Sequence, residues 1–438
     1  MTNQFSHLKK LSAMRSGKNI KFFTPAVYSG GWCPMRGACN IVEGIEGLSY
    51  LMVCMPECAT HSRSLNSLPE GPHGEKRWLY VLDANEVIFG CREGVMEALR
   101  TMDREGAKAI LMIATCVTDL IGEDFEGMIH EVQPELHAKL TYVTLGQFKN
   151  FGTPMGTAKV GTALAALVKP CSRRREKLVN VLFIEAWRAK GSPVKFPLIV
   201  KALEERGISV RRLTSDASLE DYENAGDAAF NLVISAYMEP MASALEEKTG
   251  QPALPLHNAF RVEEIDRAYR ELEERLGISL EGAFDGWRKK ALELEERARR
   301  ELKGKKFVTM VEVDMPLALT EYLSSLGMEP LLVDVEDVLP EDLMWKKKLN
   351  EAGIDPPVCH IMNLDQDVLA VRDQLKPDIA FSYLNEPVPG LPVAEQMTDF
   401  FGITGYERTV GILRRIFAVL ETGKMEEGGF DLYGPAPI

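Results

Sequence analysis

The sequence lacks any apolar run of about 18 residues, the length that a membrane-spanning helix needs. Its opening stretch, Met-Thr-Asn-Gln-Phe-Ser-His-Leu-Lys-Lys, also lacks the apolar core of a secretory signal. These two absences predict a cytoplasmic protein. In that compartment the eight cysteines of the chain stay reduced, so their thiols are available for burial in a core or for binding a metal.

An excess of basic residues is missing as well. The chain has 51 Lys and Arg against 64 Asp and Glu, which gives a formal net charge of −13. Nucleic acids and anionic membrane surfaces would repel such a chain, so we expect neither as a partner. A phosphate-binding loop is also absent, because Pro154 interrupts the segment Gly152-Thr-Pro-Met-Gly-Thr-Ala-Lys and the spacing of its glycines and lysine is wrong.

The chain alternates short β-rich runs with amphipathic helices, which is the pattern of parallel sheets. Its 438 residues are too many for a single core. We therefore predict an α/β protein of three Rossmann-like domains. The first spans residues 1–172, the second spans 173–305 and ends in a highly charged connecting helix, and the third spans 306–438.

Three cysteines stand out by their surroundings: Cys33 in Gly-Gly-Trp-Cys-Pro-Met-Arg-Gly, Cys58 in Met-Pro-Glu-Cys-Ala-Thr-His, and Cys116 in Ala-Thr-Cys-Val-Thr-Asp. They lie 25 and 58 positions apart, far too widely for a zinc ribbon, which gathers its thiolates from short loops. Cys58 and Cys116 follow apolar runs that read as strands. Thiols at the carboxyl ends of parallel strands meet at one sheet edge, where open α/β folds bind ligands. Each cysteine taken alone is more readily explained as a buried small hydrophobe, and it is the three together, in these contexts, that favour iron ligation.

These residues together resemble the component 1 family of nitrogenase and nitrogenase-like reductases. Cys116-Val-Thr-Asp-Leu-Ile-Gly-Glu-Asp is similar to the family's Cys-x-x-x-x-Ile-Gly-Asp-Asp element, and Val87-Ile-Phe-Gly is similar to its Val-Phe-Gly-Gly strand end. The three motif cysteines and this strand–helix motif fall in the family's order. The 25 and 58 gaps resemble those of the β-type subunit, since the α-type has a longer second gap.

The resemblance implies a role and a set of partners. In that family the three cysteines hold half of an iron–sulfur cluster, so Cys33, Cys58 and Cys116 are expected to bind half of an 8Fe–7S cluster of the P type, or of a 4Fe–4S cluster. A homologous α-type subunit would supply the other half in an α2β2 heterotetramer. An ATP-dependent iron–sulfur reductase would deliver the electrons. Cys39, Cys91 and His61 lie close enough in sequence to be considered as further contacts of the cluster.

The ligands of the family's catalytic cofactor are absent from this sequence. In the family's catalytic chain a cysteine at a strand end and a histidine shortly before a Gly-Tyr motif hold that cofactor. The matching positions here carry Ser235 and the stretch Met397 to Tyr406, which has no histidine. A neutral hydroxyl is a poor iron ligand beside a thiolate or an imidazole. We therefore expect the partner chain to hold the cofactor and this chain to relay electrons.

The substrate follows from the resemblance alone. By elimination among the branches of the family, the chain is expected to be the β subunit of a methylthio-alkane reductase, which cleaves carbon–sulfur bonds in small thioethers. Two alternatives stay open: a dinitrogenase β subunit and a scaffold on which a metallocluster is assembled. A cluster-free α/β binding protein is a further class, and it would contain no iron.

Overall fold

The computed structural model describes residues 5–17, 20–24, 33–65, 68–146, 152–183, 196–310, 313, 315–361, 364–382, 388–395 and 402–423. The strands are β1 (Lys9–Lys10), β2 (Lys21–Phe22), β3 (Leu48–Cys54), β4 (Arg77–Val81), β5 (Ala109–Ala114), β6 (Lys139–Thr144), β7 (Arg175–Leu182), β8 (Ser209–Leu213), β9 (Ala228–Val233), β10 (Ala253–Pro255), β11 (Lys306–Thr309), β12 (Glu329–Asp334), β13 (Pro357–His360), β14 (Ile379–Ser382) and β15 (Val393–Glu395).

The helices are α1 (Pro34–Val42), α2 (Pro56–Leu65), α3 (Ala84–Phe89), α4 (Arg92–Arg104), α5 (Cys116–Ile121), α6 (Phe125–Val132), α7 (Thr153–Ala165), α8 (Leu198–Glu205), α9 (Leu219–Glu223), α10 (Glu239–Thr249), α11 (Val262–Leu276), α12 (Asp285–Glu301), α13 (Pro316–Ser325), α14 (Asp342–Glu351), α15 (Leu364–Ala370) and α16 (Tyr406–Thr422). Within the described ranges, each of these helices is too short or too polar to cross a membrane.

The chain divides into two compact units. The two-sheet unit comprises residues 32–194 and 207–255, and the one-sheet unit comprises residues 1–31, 195–206 and 256–438. The mixed α/β architecture with parallel sheets confirms the fold class expected from the sequence. The division into three domains at residues 172 and 305 stays a prediction.

The two-sheet unit contains two four-stranded parallel sheets, ordered β4-β3-β5-β6 and β10-β9-β7-β8. In the first of them, every residue of β3 and β5 is buried. Side chains alternate between two cores: Tyr50 and Met52 enter one core, while Leu51 and Val53 enter the other. Helices therefore cover both faces of this sheet, which explains why its central strands read as continuous apolar runs.

The one-sheet unit is built on a sheet in the order β1-β13-β12-β11-β14-β15, with β2 also paired to β13. Only the β1–β13 pair is antiparallel among the strand pairs that the structure describes. The last helix of this unit, α16, is almost wholly buried, and its buried residues include Glu407, Arg408 and Arg415.

Glu407 sits at the start of α16 and caps another helix of the same unit. One oxygen of its carboxyl group accepts a hydrogen bond from the backbone N–H of Leu198, the first residue of α8, at 2.8 Å. Burial raises the pKa of this carboxyl group from 4.5 to about 7, although hydrogen bonds from its own and the Leu198 backbone N–H groups and the charge of Arg408 act in the opposite direction. The folded state therefore favours the neutral acid.

We expect Glu407→Gln to flatten the pH dependence of stability. Because the folded pKa is raised, the contribution of Glu407 is fully present below about pH 4.5 and is lost as the pH rises through 7. The free energy of unfolding of the unsubstituted protein should therefore fall by about 3 kcal/mol relative to the glutamine variant between pH 4.5 and 8. Urea unfolding across this range measures the difference.

The exposed Glu421, near the other end of α16, offers the matched control. Glu421→Gln should reproduce the pH profile of the unsubstituted protein. Parallel profiles for the Glu407→Gln variant and the unsubstituted protein would contradict the prediction.

Candidate functional site

Cys58 and Cys116 follow the two adjacent central strands of the first sheet. β3 ends at Cys54, and Cys58 comes four residues later in the first turn of α2. β5 ends at Ala114, and Cys116 is the first residue of α5. The chain leaves β3 for β4 on one side and returns to β5 on the other, so the two thiols flank the point where the strand order reverses. This is where open α/β sheets bind ligands.

Cys33 joins this region from a helix start. It is the residue immediately before α1, with an extended backbone, and Pro34 occupies the first helical position. Proline is suited to that position because it has no N–H to satisfy and its φ is already helical. Cys33 and Cys58 pack against the same core, on the face of the sheet covered by α1 and α7.

Exposure separates the three motif cysteines from the other five. Cys33, Cys58 and Cys116 are half-buried, whereas Cys39, Cys54, Cys91 and Cys359 are buried and Cys171 is exposed. A ligand of a cluster shared between two subunits must reach a surface and still be shielded from solvent, and half-buried thiols meet both conditions. The donor chemistry also fits, because thiolates are the usual ligands of iron–sulfur clusters.

Burial opposes ionisation of two thiols of this region, those of Cys54 and Cys58. Burial, followed by the nearby Cys116, raises the pKa of Cys58, and burial raises the pKa of Cys54 to about 12. Iron binds the thiolate form of cysteine, so ligation by Cys58 would release a proton and its affinity would depend on pH. The contribution of Cys116 to the raised pKa of Cys58 also indicates that the two thiols lie near one another.

Two of the residues considered as further cluster contacts lie in cores. Cys39 is fully buried in α1. Cys91 packs in the core on the opposite face of the sheet, away from the core that Cys33 and Cys58 contact. Its backbone N–H donates to a carboxylate oxygen of Glu123 at 2.8 Å, and burial and Glu123 raise the pKa of its thiol to about 12. The side chain of His61 lies outside the described residues.

Ser235 lies at the carboxyl end of β9, one residue after Ile234. Its side chain is buried, and its Oγ has no hydrogen-bond partner among the residues that the structure describes. The arrangement offers one neutral hydroxyl, which fits an iron centre poorly. The stretch from Met397 to Phe401, which matches part of the segment that carries the family's histidine ligand, lies outside the described residues.

Gly156 positions the start of α1, a role that the sequence did not reveal. A Cβ atom at Gly156 would lie 2.4 Å from the carbonyl oxygen of Pro34 and 3.0 Å from its carbonyl carbon. The backbones of α7 and α1 therefore meet directly at this point, next to Cys33. In the sequence, the glycines of this segment resembled only a phosphate-binding loop with the wrong spacing. The contact between α7 and α1 joins segments that are far apart in the chain, so it leaves no local sequence signal.

Comparison with known proteins identifies the class. Residues 33–421 match the family model described as nitrogenase component 1 type oxidoreductase, and the match begins at Cys33. The chain belongs to this family, as the sequence resemblance predicted.

Curated relatives and solved structures agree with this assignment. A nitrogenase iron-molybdenum cofactor biosynthesis protein NifE of Nostoc sp. is 26% identical over 347 residues, covering 74% of this chain and 69% of the relative. The NifE protein of Sinorhizobium fredii is 26% identical over 440 residues, covering 93% and 84%. A solved structure titled "Nitrogenase Cp1 at pH 6.5" has a TM-score of 0.68 at 16% identity and covers 91% of this chain and 94% of its own, a likeness of fold.

We expect Gly156→Ala to destabilise the protein by about 2 kcal/mol, because the new methyl group overlaps backbone atoms that cannot move without displacing α1. Gly161→Ala in the same helix is the matched control. There the Cβ atom meets methionine side chains, the nearest being the Cε of Met238 at 3.2 Å, and alanine is the better helix former by about 1 kcal/mol.

Thermal or urea unfolding of both variants measures the difference. Equal stabilities for the Gly156 and Gly161 variants would show that the close crossing of α1 and α7 does not constrain the start of α1.

Proposed function

We propose that this chain is the β-type subunit of a nitrogenase-like reductase complex and that Cys33, Cys58 and Cys116 bind half of an iron–sulfur cluster, of the 8Fe–7S or 4Fe–4S type. The single observation that carries the proposal is the exposure pattern: the three motif cysteines are half-buried, while four of the other five are buried. When bound, such a cluster accepts and releases one electron at a time at low potential.

A partner chain follows from the number of thiols. A four-iron cluster takes four thiolates, and this site offers three. The homologous α-type subunit would supply the remaining ligands from its own half of an interface, in an α2β2 complex. The cysteines of this chain would hold the iron through their sulfur atoms. The hydrophobic cores on both faces of β3 and β5 lie beneath the site and would exclude water from that side.

An exposed apolar patch supports the reductase as the second partner. Four large side chains at the ends of α3 and α5, two helices that contact each other, are 40–83% exposed; they are Ile88, Phe89, Leu120 and Ile121. Contiguous apolar surface of this kind marks protein-interaction sites. Cys116 begins α5 and Ile121 ends it, so Ile121 of the patch lies about 7.5 Å from Cys116 along the helix axis. A short path of this kind favours electron transfer.

The substrate part of the proposal is reductive cleavage of a carbon–sulfur bond in a small thioether, with the catalytic cofactor on the α-type chain. The poor ligand chemistry of Ser235 supports the placement of the cofactor on the partner. The complex would work in the cytoplasm, where the thiols remain reduced. A dinitrogenase β subunit is the alternative within the same class of enzyme.

A second candidate function is a scaffold for metallocluster assembly. The observation that favours it is the similarity of this chain to curated relatives that are nitrogenase iron-molybdenum cofactor biosynthesis proteins. A scaffold would also bind a cluster through cysteine thiolates, but it would release its metallocluster to an acceptor protein and would not turn over a substrate.

Substitution of the motif cysteines tests cluster binding. We expect Cys33→Ala, Cys58→Ala and Cys116→Ala each to deplete iron in the purified complex, because a missing thiolate leaves a metal under-coordinated. Cys359→Ala, a buried cysteine of the one-sheet unit, and Cys171→Ala, an exposed one, should retain full iron content. Elemental analysis of iron and sulfide gives the result, and full iron occupancy in all three motif variants would end the proposal.

A turnover assay separates the two functions. The purified complex, supplied with its reductase, ATP and a methylthio-alkane, should release a thiol if the chain is a reductase subunit. Dinitrogen offered in place of the thioether tests the alternative substrate. Transfer of the metallocluster to an apo-enzyme, without thiol or ammonia formation, would instead identify the scaffold.

A further inference from the structure

The exposed apolar patch consists of two separate segments of the chain. Ile88 and Phe89 end α3, and their side chains are 72% and 83% exposed. Leu120 and Ile121 end α5, and their side chains are 67% and 40% exposed. The two pairs form one surface only while the ends of these two helices stay side by side.

The α3 half of the patch is weakly anchored by its own side chains. Of the six described residues of α3, Ala84–Phe89, none is buried, and Val87 packs only partly against the core beneath it. A helix of this length is not stable in isolation. The position of its carboxyl end therefore depends on contacts with neighbouring segments.

Glu123 makes such a contact from the end of α5. Its backbone N–H donates to the carbonyl oxygen of Thr118 at 3.1 Å, which fixes the residue to that helix. One oxygen of its side chain accepts a hydrogen bond from the backbone N–H of Cys91 at 2.8 Å. Cys91 comes two residues after Phe89, so one glutamate side chain joins the ends of α3 and α5.

The local structure favours a carboxylate at this point. A Cβ atom at Gly90, where φ is 91°, would lie 2.9 Å from the same Glu123 oxygen, so the glycine leaves room for it. Cys91 immediately precedes α4, a helix of 13 residues, and is 2% exposed. Its buried N–H needs an acceptor, and the positive end of the α4 dipole favours a negatively charged one.

We propose that Glu123 is a positioning residue for docking of the iron–sulfur reductase: its carboxylate holds the end of α3 against the end of α5, so that the four apolar side chains present one preformed surface. The inference rests on the proposed docking of the reductase on this patch. Cys116 begins α5, so an electron donor is the partner that gains from binding at the other end of that helix. A preformed surface costs less conformational entropy to bury than one that must first be ordered, which lowers the dissociation constant.

Three substitutions in the complete complex test this role. Glu123→Ala removes the acceptor of the Cys91 N–H, whereas Glu123→Gln keeps an oxygen that can accept it and removes the charge. Glu93→Ala, at an exposed position in the first turn of α4, removes an equal charge and is the matched control. The dissociation constant of the reductase, measured by biolayer interferometry, should rise about tenfold for Glu123→Ala, as expected for the loss of about 1.4 kcal/mol. We expect a rise of at most about threefold for Glu123→Gln and a change of less than about twofold for Glu93→Ala.

Two further measurements separate positioning from folding and from direct contact. Glu123→Ala should keep full iron content and an unchanged kcat at saturating reductase, while the KM for the reductase rises. In the double variant, Glu123→Ala should add little to the effect of Phe89→Ala, because the surface that Glu123 positions is already lost. A direct charge contact between Glu123 and the reductase would instead make the two effects additive.

An unchanged dissociation constant in Glu123→Ala, additive effects in the double variant, or an equal rise for Glu123→Gln and Glu93→Ala would overturn the proposal. Loss of iron or of the α-type subunit from Glu123→Ala would overturn it as well, because either would assign Glu123 to folding or to assembly. If Phe89→Ala leaves reductase binding unchanged, the proposed docking on this patch fails and the inference fails with it. An effect of Phe89→Ala without one of Glu123→Ala overturns the inference alone.

Discussion

The pairing of β3 with β5 is the interaction on which the candidate site depends. Both strands are buried along their whole length, and their register runs from Leu48 opposite Ala109 to Val53 opposite Ala114. That register ends both strands at the same level, so α2 and α5 begin side by side. A slip of one residue would exchange the two cores, because alternate side chains enter opposite faces. The positions of Cys58, Thr115 and Cys116 therefore follow from burial in the sheet beneath them.

Sequence reasoning went furthest where the signal is local. The apolar run of β5 and the motif at Cys116 lie next to each other in the chain, so the strand, its end and the thiol could all be predicted together. The family and the parallel α/β architecture were predicted for the same reason and are confirmed. Ligation by the three cysteines stays a prediction.

The features that were missed depend on contacts between distant segments. The residues next to Gly156 in sequence do not indicate that its Cα lies against the carbonyl group of Pro34, more than a hundred positions away. Thr115 was visible in the Cys116 motif, but its hydroxyl group donates to the carbonyl oxygen of Val53 on the neighbouring strand, a contact that the sequence did not indicate. The burial of Glu407 was missed for the same reason. An acidic residue in the first turn of a helix is favourable there even when it is exposed to solvent, so its sequence position does not indicate burial.

The strands β1 and β2 pair with β13, which is synthesised much later than they are. β1 pairs with β13, and the backbone and side chain of Ser12 both hydrogen-bond Asp355, 343 residues further along the chain. β1 and Ser12 therefore cannot meet their partners until a segment 343 residues further along the chain has been synthesised. The strands of the two-sheet unit lie between β1 and β13 in sequence and are complete by Pro255, so this unit can fold while β1 is still unpaired. Pairing of β1 with β13 is then a late, long-range step, and its free-energy cost includes the entropy of closing a large loop.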